Sequence, residues 1–403
     1  MPVILPVKGV MPSFNDTCFI APNATIVGDV VMGDNCSVWF NAVVRGDVNF
    51  IRMGKKVNVQ DGAIIHCTYQ KFGTTIGNNV SIGHNAIVHG CVIDDNVLIG
   101  MGAIVMDNVH IGSNSIIAAG AVPFEIRTAA PSDFVIGAGG RGGYILSTRD
   151  LVTNDIEVIV EGAQLDGMIC LTSCDKTVPG QMMAAGRLNI PTLMVACGYQ
   201  PSGEFEGEHV DIEDVFVGAM HAQMGRMSMD KIIGMSRNAI RGPGVCSGMG
   251  TANSMHICCE ALGMALPGTT PVAANSEAMF DAARRAGKRI VEMVWEDLKP
   301  RDILTPSAFE NAVKTILSVG GSVNSIKHLQ AVATEANCGA DVYGMFEKFS
   351  HDVPVLTSVR PVGEHVIEVF DRAGGAQAVM KQLESMLDTS TMTITGKSLA
   401  ENL

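Results

Sequence analysis

An apolar residue returns at every sixth position through much of the first third of the chain. A period of six fits neither an amphipathic helix, with a period of about 3.6, nor a plain strand, with a period of about 2. It is typical of a hexapeptide-repeat solenoid. The 44 glycines and the aromatic content of 5% agree with many tight turns around a narrow core. The repeating positions are Ile26, Met32, Val38, Val44, Met53, Val59, Ile65, Ile76, Ile82, Val88, Ile93, Ile99, Val105, Ile111 and Ile117.

This repeat resembles the left-handed parallel β-helix, in which three six-residue segments form one triangular coil. The resemblance implies that the repeating apolar residues point inward and that glycines occupy the corners. The fold predicted for the whole chain is multidomain: a left-handed parallel β-helix over residues 1–140, followed by an α/β parallel-sheet domain over residues 141–403.

The second part is predicted from alternating helical and buried apolar segments, which are typical of a parallel α/β sheet. The predicted helices are Asp150–Glu161, Pro179–Leu188, Ser276–Glu296, Pro306–Leu317 and Gly375–Leu387, and the predicted strands are Gly167–Thr172 and Pro191–Ala196. The glycine-rich segment 129–143 is the predicted junction between the two parts.

Charge and cysteine content limit the classes of partner. A net charge of −13 provides no general basic surface, so nucleic acid is an unexpected partner. No apolar run is long enough for a membrane helix. The eleven irregularly spaced cysteines, without a signal sequence, favour a reducing compartment. The predicted location is cytoplasmic and the predicted partner is a small-molecule substrate.

Two histidines share one position of the repeat. His66 and His89 each follow an inward residue, and a loop at Lys71–Thr75 places them on one face, one coil apart, at about 4.8 Å. His84 falls on a neighbouring face, so a homotrimer would be needed to bring a neighbour's His84 to this pair. Three neutral imidazoles with an open position are typical of catalytic zinc.

The first part resembles the γ-class carbonic anhydrases. The stretches that carry the resemblance are Val44–Asp47, Asn58–Gly62, Ile65–His66 and Ser81–Gly90. The resemblance implies that His66, His89 and the neighbour's His84 bind zinc. It also implies an interface pair of Arg45 and Asp47, and places Gln60 and Asp61 beside the metal-bound water.

The acidic loop of the most active members of that family has no equivalent here, because residues 48–55 contain no glutamate. A proton shuttle is therefore missing from this segment. Two alternatives stay open for the first part. One is a hexapeptide acyltransferase, which acetyl-CoA binding would reveal, and the other is a non-catalytic trimeric scaffold that binds metal.

The second part resembles the dihydroxy-acid and sugar-acid dehydratases. The motifs are Ser173–Gly180, Cys246–Met255, Gly320–Asn324 and Thr393–Lys397. The resemblance implies that Cys174 and Cys246 bind a 2Fe–2S cluster, and that Asp175 and a carbamylated Lys176 hold Mg²⁺. Asp133 has the spacing of a further magnesium ligand.

Parts of that family's site have no match in the sequence. No motif surrounds a first cluster cysteine, and no stretch matches the family's serine base. Cys170, Cys197, Cys258 and Cys259 are interpreted as core residues. We therefore expect a hydro-lyase chimera in which a zinc-dependent hydratase of CO₂ or a similar small electrophile precedes an incomplete dehydratase. The alternatives are an active Fe–S and Mg²⁺ dehydratase of dihydroxy or sugar acids, and the metal-binding scaffold.

Overall fold

The computed structural model of the chain describes residues 1–113, 115–117, 124–128, 132–138 and 140–403. These residues form two compact units, Met1–Glu125 and Ile126–Leu403, called here the first unit and the second unit. The boundary predicted between residues 140 and 141 falls within the second unit, because Asp133 forms an ion pair with Lys176 there. Residues 129–131 and 139 of the predicted junction lie outside the described residues.

The first unit is built from short strands. Within its described residues they are β1 (Val3–Leu5), β2 (Phe19–Ile20), β3 (Thr25–Met32), β4 (Ser37–Val38), β5 (Val43–Met53), β6 (Asn58–Val59), β7 (Ile64–His66), β8 (Thr74–Ile76), β9 (Ser81–Ile82), β10 (Ile87–His89), β11 (Val92–Ile93), β12 (Leu98–Ile99), β13 (Ile104–Val105), β14 (His110–Ile111) and β15 (Ile116–Ile117).

These strands stack in parallel as a β-helix, which confirms the period-six prediction. Ile26 pairs with Val44, Val44 with Ile65, and Ile65 with Val88, so equivalent repeat positions lie above one another. All four side chains are fully buried. The loop between β7 and β8 is closed by a hydrogen bond from the Thr68 amide to the Phe72 carbonyl, slightly before the predicted Lys71–Thr75 loop.

The second unit combines many helices with a small parallel sheet. Its described helices are α1 (Asp133–Ala138), α2 (Gly143–Ala163), α3 (Thr177–Leu188), α4 (Ile212–Gln223), α5 (Met229–Ala239), α6 (Thr251–Ala261), α7 (Glu277–Glu296), α8 (Pro300–Ile303), α9 (Pro306–Ser318), α10 (Asn324–Glu335), α11 (Val342–Phe349), α12 (Ile367–Arg372), α13 (Gly375–Gln382) and α14 (Leu399–Asn402). Its described strands are β16 (Met168–Thr172), β17 (Thr192–Ala196), β18 (Gly203–Phe205) and β19 (Glu208–Val210), and a 3₁₀ helix covers Glu384–Met386.

Strands β16 and β17 pair in parallel, as predicted, with Thr172 opposite Ala196. Isolated parallel bridges from Met194 to Ala265 and from Tyr199 to Val245 extend this arrangement. The core around it includes helix α6, which is buried along its whole length, and the fully buried Phe309 of α9. Helix α2 begins at Gly143, about two turns before the predicted start at Asp150. Among the described residues, no helix is long and apolar enough to span a membrane.

Candidate functional sites

The ends of strands β16 and β17 position the first candidate site. Residues Ser173–Lys176 connect β16 to α3, and Cys197 directly follows β17. The Cys197 amide donates to the Thr172 carbonyl at 2.8 Å, which holds the two strand ends side by side. Because the carboxyl ends of parallel strands share one sheet edge, the predicted magnesium and cluster residues of this connection lie at that edge.

Lys176 binds both predicted carboxylates. Its Nζ lies 2.7 Å from Asp133 Oδ2 and 3.2 Å from Asp175 Oδ2, and the lysine side chain is only 3% exposed. Asp133 Oδ1 is buried without a hydrogen-bond partner among the described residues. The structure therefore joins Asp133 to two consecutive residues more than forty positions later, and leaves one carboxylate oxygen of Asp133 free for a ligand.

The two carboxylates are also linked electrostatically. Burial, together with the hydrogen bond and charge of the neighbouring Asp133 carboxyl, raises the pKa of Asp175 to about 6 against the opposing charge of Lys176. A bound cation would relieve this repulsion, because it favours the ionised form of both carboxylates. Oxygen donors of this kind suit Mg²⁺, so the donor set fits the predicted metal.

The two predicted cluster cysteines lie close enough to influence each other. Burial raises the pKa of the Cys174 thiol. Burial also raises the pKa of Cys246 to about 12, with a further contribution from the Cys174 charge. Beside Cys246, the Ser247 Oγ is buried and has no partner among the described residues. Soft thiolate donors are the ligands that iron–sulfur clusters require, so these residues fit part of a cluster site.

Arg149 and His328 were not identified from the sequence as members of this site. Arg149 Nη1 lies 3.4 Å from His328 Nδ1. The guanidinium can only donate, so Nδ1 accepts and Nε2 carries the hydrogen. That Nε2 is buried without a partner in the described chain. Burial, with the charges of Lys176 and Arg149, lowers the pKa of His328 to about 3, so the imidazole is neutral.

The second candidate site lies on the first unit, where His66 and His89 occupy paired positions of β7 and β10, as predicted. His66 Nδ1 lies 2.9 Å from His89 Nε2, and the ring centroids are 4.9 Å apart. The outer nitrogens face carboxylates: His66 Nε2 is 3.0 Å from Asp47 Oδ1, and His89 Nδ1 is 2.6 Å from Asp107 Oδ1. Two imidazoles are thus held between two carboxylates.

Each carboxylate of this row is anchored from its other side. Arg45 Nη1 binds Asp47 Oδ2 at 2.6 Å, and Thr68 Oγ1 donates to Asp107. Burial raises the pKa of Asp47, but the His66 hydrogen bond and Arg45 outweigh it, so the pKa lies below its usual value. Hydrogen bonds from Thr68 and His89 lower the pKa of Asp107. Asp107 was missed because the fold, not its motif context, brings it to His89.

The structure places His84 away from this row, on the loop between β9 and β10. Its Nδ1 lies 2.9 Å from Asp61 Oδ2. Gln60 immediately precedes Asp61, and its amide donates to the Ile82 carbonyl of the next coil at 2.9 Å. Across the described residues of this one chain, no three His, Cys, Asp or Glu side chains converge on a single metal-ion position. The predicted three-histidine site therefore depends on a second subunit.

Comparison with protein families gives two matches. Residues 103–402 match the family described as dihydroxy-acid/6-phosphogluconate dehydratase N-terminal. Residues 15–46 match the bacterial transferase hexapeptide family, described as six repeats. The first match contains Asp133, Cys174 and Lys176, and the second lies within the β-helix.

Curated relatives of the chain are described as dihydroxy-acid dehydratases. A dihydroxy-acid dehydratase of Methanosphaera stadtmanae is 38% identical over 335 residues, covering 79% of this chain and 61% of that protein. A dihydroxy-acid dehydratase of Methanothermobacter thermautotrophicus is 42% identical over 287 residues, covering 71% of this chain and 52% of that protein. The chain thus spans between about half and three-fifths of these relatives' lengths.

Two solved structures match smaller parts of the chain. A hexapeptide transferase family protein from Anaplasma phagocytophilum is 35% identical, with a TM-score of 0.29, and covers 36% of this chain and 96% of that chain. A Bacillus cereus protein described as a putative acetyltransferase is 38% identical, with a TM-score of 0.26, and covers 29% of this chain and 72% of that chain.

Proposed function

The chain belongs, through residues 103–402, to the dihydroxy-acid/6-phosphogluconate dehydratase family, and on this basis we propose that its second unit binds a dihydroxy acid and takes part in its dehydration. The observation that carries the proposal is the meeting of Asp133, Asp175 and Lys176 beside Cys174. These are the positions at which the family resemblance implies magnesium and cluster ligands. The relatives named above are dihydroxy-acid dehydratases, so a 2,3-dihydroxy acid is the proposed substrate class.

Asp133 and Asp175 would hold Mg²⁺ through their carboxylate oxygens, of which Asp133 Oδ1 is already without a protein partner. When bound, Mg²⁺ supplies positive charge for the substrate carboxylate and for the negative charge that develops next to it. Lys176 now occupies the space between the carboxylates as their counter-ion. If its neutral amine adds CO₂, an N–C bond forms, one proton leaves, and the resulting carbamate offers a third oxygen donor.

The thiols of Cys174 and Cys246 would bind a 2Fe–2S cluster at the same sheet edge. When bound, the cluster supplies an iron that acts as a Lewis acid on the departing hydroxyl. The neutral imidazole of His328 contributes a buried N–H without an acceptor, which suits an oxygen of a bound ligand. The Lys176 side chain is only 3% exposed, so it is largely shielded from solvent.

The test is formation of a 2-oxo acid from a 2,3-dihydroxy acid by the anaerobically purified full chain with Mg²⁺ and reconstituted iron and sulfide. We expect Asp133→Asn to reduce the rate by about 10- to 100-fold, because it weakens a metal ligand. Asp281→Asn, which changes an exposed carboxylate paired with Arg285 on α7, is the control and should retain the rate. Unaltered turnover in Asp133→Asn, or no product from fully loaded protein, would reject the proposal.

A second candidate function is zinc-dependent hydration of CO₂ by the first unit. Asp47, His66, His89 and Asp107 form a row with three close contacts between neighbouring side chains. Each contact needs one hydrogen atom to be a hydrogen bond. Two neutral imidazoles carry only two protons. Burial lowers the pKa of His66 and so opposes the protonation that would supply a third hydrogen. If both outer N–H groups donate to the carboxylates, the inner nitrogens present two lone pairs to a metal ion.

This second proposal is tested by zinc content and CO₂ hydration of the full chain. About one zinc per chain with turnover supports the hydratase. Zinc without turnover supports the scaffold alternative, whereas acetyl-CoA binding at this unit supports the acyltransferase alternative. Absence of zinc would contradict both metal-binding readings.

A further inference from the structure

Cys197 occupies the same sheet edge as the two motif cysteines. It follows the last residue of β17, and its amide donates to the Thr172 carbonyl, two residues before Cys174. On the other side, the Val245 amide donates to the Gly198 carbonyl at 2.9 Å, and Cys246 follows directly. Cys197 therefore lies between the backbone segments that carry Cys174 and Cys246. Cys197 packs against the core of the second unit, as its place after an apolar strand predicted, but it is only partly buried.

Exposure separates these three cysteines from most other thiols of the second unit. Cys170, Cys258 and Cys259 are buried in the core, as predicted, whereas Cys174, Cys197 and Cys246 are only partly buried. Cys338 is also partly buried, but it lies between helices α10 and α11. The thiols at the strand ends thus remain accessible to a ligand, and Cys338 provides a matched thiol elsewhere.

A polar side chain beside the three thiols offers a further group to a ligand. Ser247 directly follows Cys246, and its side chain is buried. The unpartnered Ser247 Oγ adds a donor that could bond to a cluster sulfur.

We propose that Cys197 is a ligand, together with Cys174 and Cys246, of an iron–sulfur cluster at the carboxyl edge of β16 and β17. This inference rests on the proposed dehydratase function and names a ligand of its cluster. Sequence motifs supply only two thiolates, and Cys197 supplies a third from the next strand. A 2Fe–2S cluster distributes its ligands over two irons, so the thiols need not converge on one ion. Ligation converts each thiol to a thiolate and releases one proton, without any redox step.

The first measurement is the iron and sulfide content of the full chain after anaerobic reconstitution with ferric iron and sulfide. We expect about two irons per chain and a visible cluster spectrum for the unmodified protein. The iron content of Cys197→Ala should be at least about five-fold lower than that of the unmodified chain, because one of three thiolate ligands is removed. The same decrease is expected for Cys174→Ala. Cys338→Ala should retain the iron and the spectrum.

The second measurement reports on Cys197 in the unmodified protein and so does not depend on the folding of a variant. Iodoacetamide labelling, read by peptide mass spectrometry, compares the chain before and after reconstitution. We expect labelling of Cys197, Cys174 and Cys246 to fall at least about five-fold on reconstitution, because ligated thiolates are not free nucleophiles. Labelling of Cys338 should stay unchanged.

The outcomes separate this inference from the proposed function. A protected Cys197 and a cluster that needs it support the inference even if no 2-oxo acid forms, and in that case only the proposed dehydration fails. Full iron in Cys197→Ala, or a Cys197 that is labelled equally before and after reconstitution, overturns the inference. Failure of the unmodified chain to assemble any cluster overturns it as well.

Discussion

Individual buried side chains set the electrostatics of the second unit. Lys176 is almost completely enclosed and is compensated by Asp133 and Asp175. Leaving one charge of such a buried group unpaired costs about 3–5 kcal/mol, so the lysine and its two carboxylates constrain one another. The sequence predicted Asp133 from its spacing alone. It could not predict the free Oδ1 of that residue or the neutral His328, because both depend on side chains that come from distant helices.

His256 offers a prediction at the residue scale. It lies on helix α6 and is buried, and this burial lowers its pKa to about 4. The hydrogen bond between its Nε2 and the Thr172 carbonyl, at 3.2 Å, acts in the opposite direction. As the pH falls below about 6.5, the unfolded chain binds a proton that folded His256 does not, so unfolding becomes easier by about 1.4 kcal/mol per pH unit. We therefore expect the stability of the wild type relative to His256→Gln to fall by about 2 kcal/mol between pH 7 and pH 5.

Urea unfolding at several pH values measures this difference. His351→Gln is the control, since His351 is exposed, and its unfolding free energy should run parallel to that of the wild type. Parallel curves for His256→Gln and the wild type would contradict a buried neutral imidazole.

At the scale of elements, the close stacking of coils decides which residues the β-helix accepts. Gly28 has φ +77°, and a Cβ added there would lie 2.3 Å from the Gly46 carbonyl oxygen of the next coil. The same stacking brings His66 over His89. The six-residue period predicted the stacking of His66 over His89, because a repeat of fixed length returns equivalent positions to the same face. It did not predict Asp107 beside His89.

The two reasons for glycine at such a position can be separated by substitution. Gly28→Ala combines a left-handed backbone with a backbone clash, and should cost about 2–5 kcal/mol of unfolding free energy. Gly102 has φ +70° but open space around its Cβ position, so Gly102→Ala should cost only about 1–2 kcal/mol. Denaturant unfolding of the first unit measures both. Equal losses would show that the coil contact adds nothing to the backbone preference.

At the scale of the whole molecule, the two units differ in whether one chain supplies all the candidate ligands of a site. The second unit gathers its candidate ligands within one chain. The first unit gathers only two imidazoles with Asp47 and Asp107, while His84 lies with Asp61. A complete three-histidine site therefore requires a neighbouring subunit, as the family resemblance predicts.

His84→Ala tests this requirement directly. We expect it to lower zinc content at least about ten-fold and to weaken the trimer, because it removes one of three proposed ligands shared between subunits. Metal analysis and sedimentation of the full chain measure both effects. His110→Ala is the control, because His110 pairs with Asp94 elsewhere on the β-helix. Full zinc and an unchanged assembly in His84→Ala would exclude an intersubunit site.

The sequence by itself determined the β-helix, the stacking of His66 over His89, and the dehydratase motifs around Cys174 and Cys246, because each follows from a period or a contiguous pattern. The tertiary structure alone decided which distant groups meet. It brought Arg149 to His328, Asp107 to His89, and Cys197 to the edge that carries Cys174. The physical reason is that lateral neighbours across parallel strands and coils are fixed by register and packing, which short-range sequence patterns do not encode.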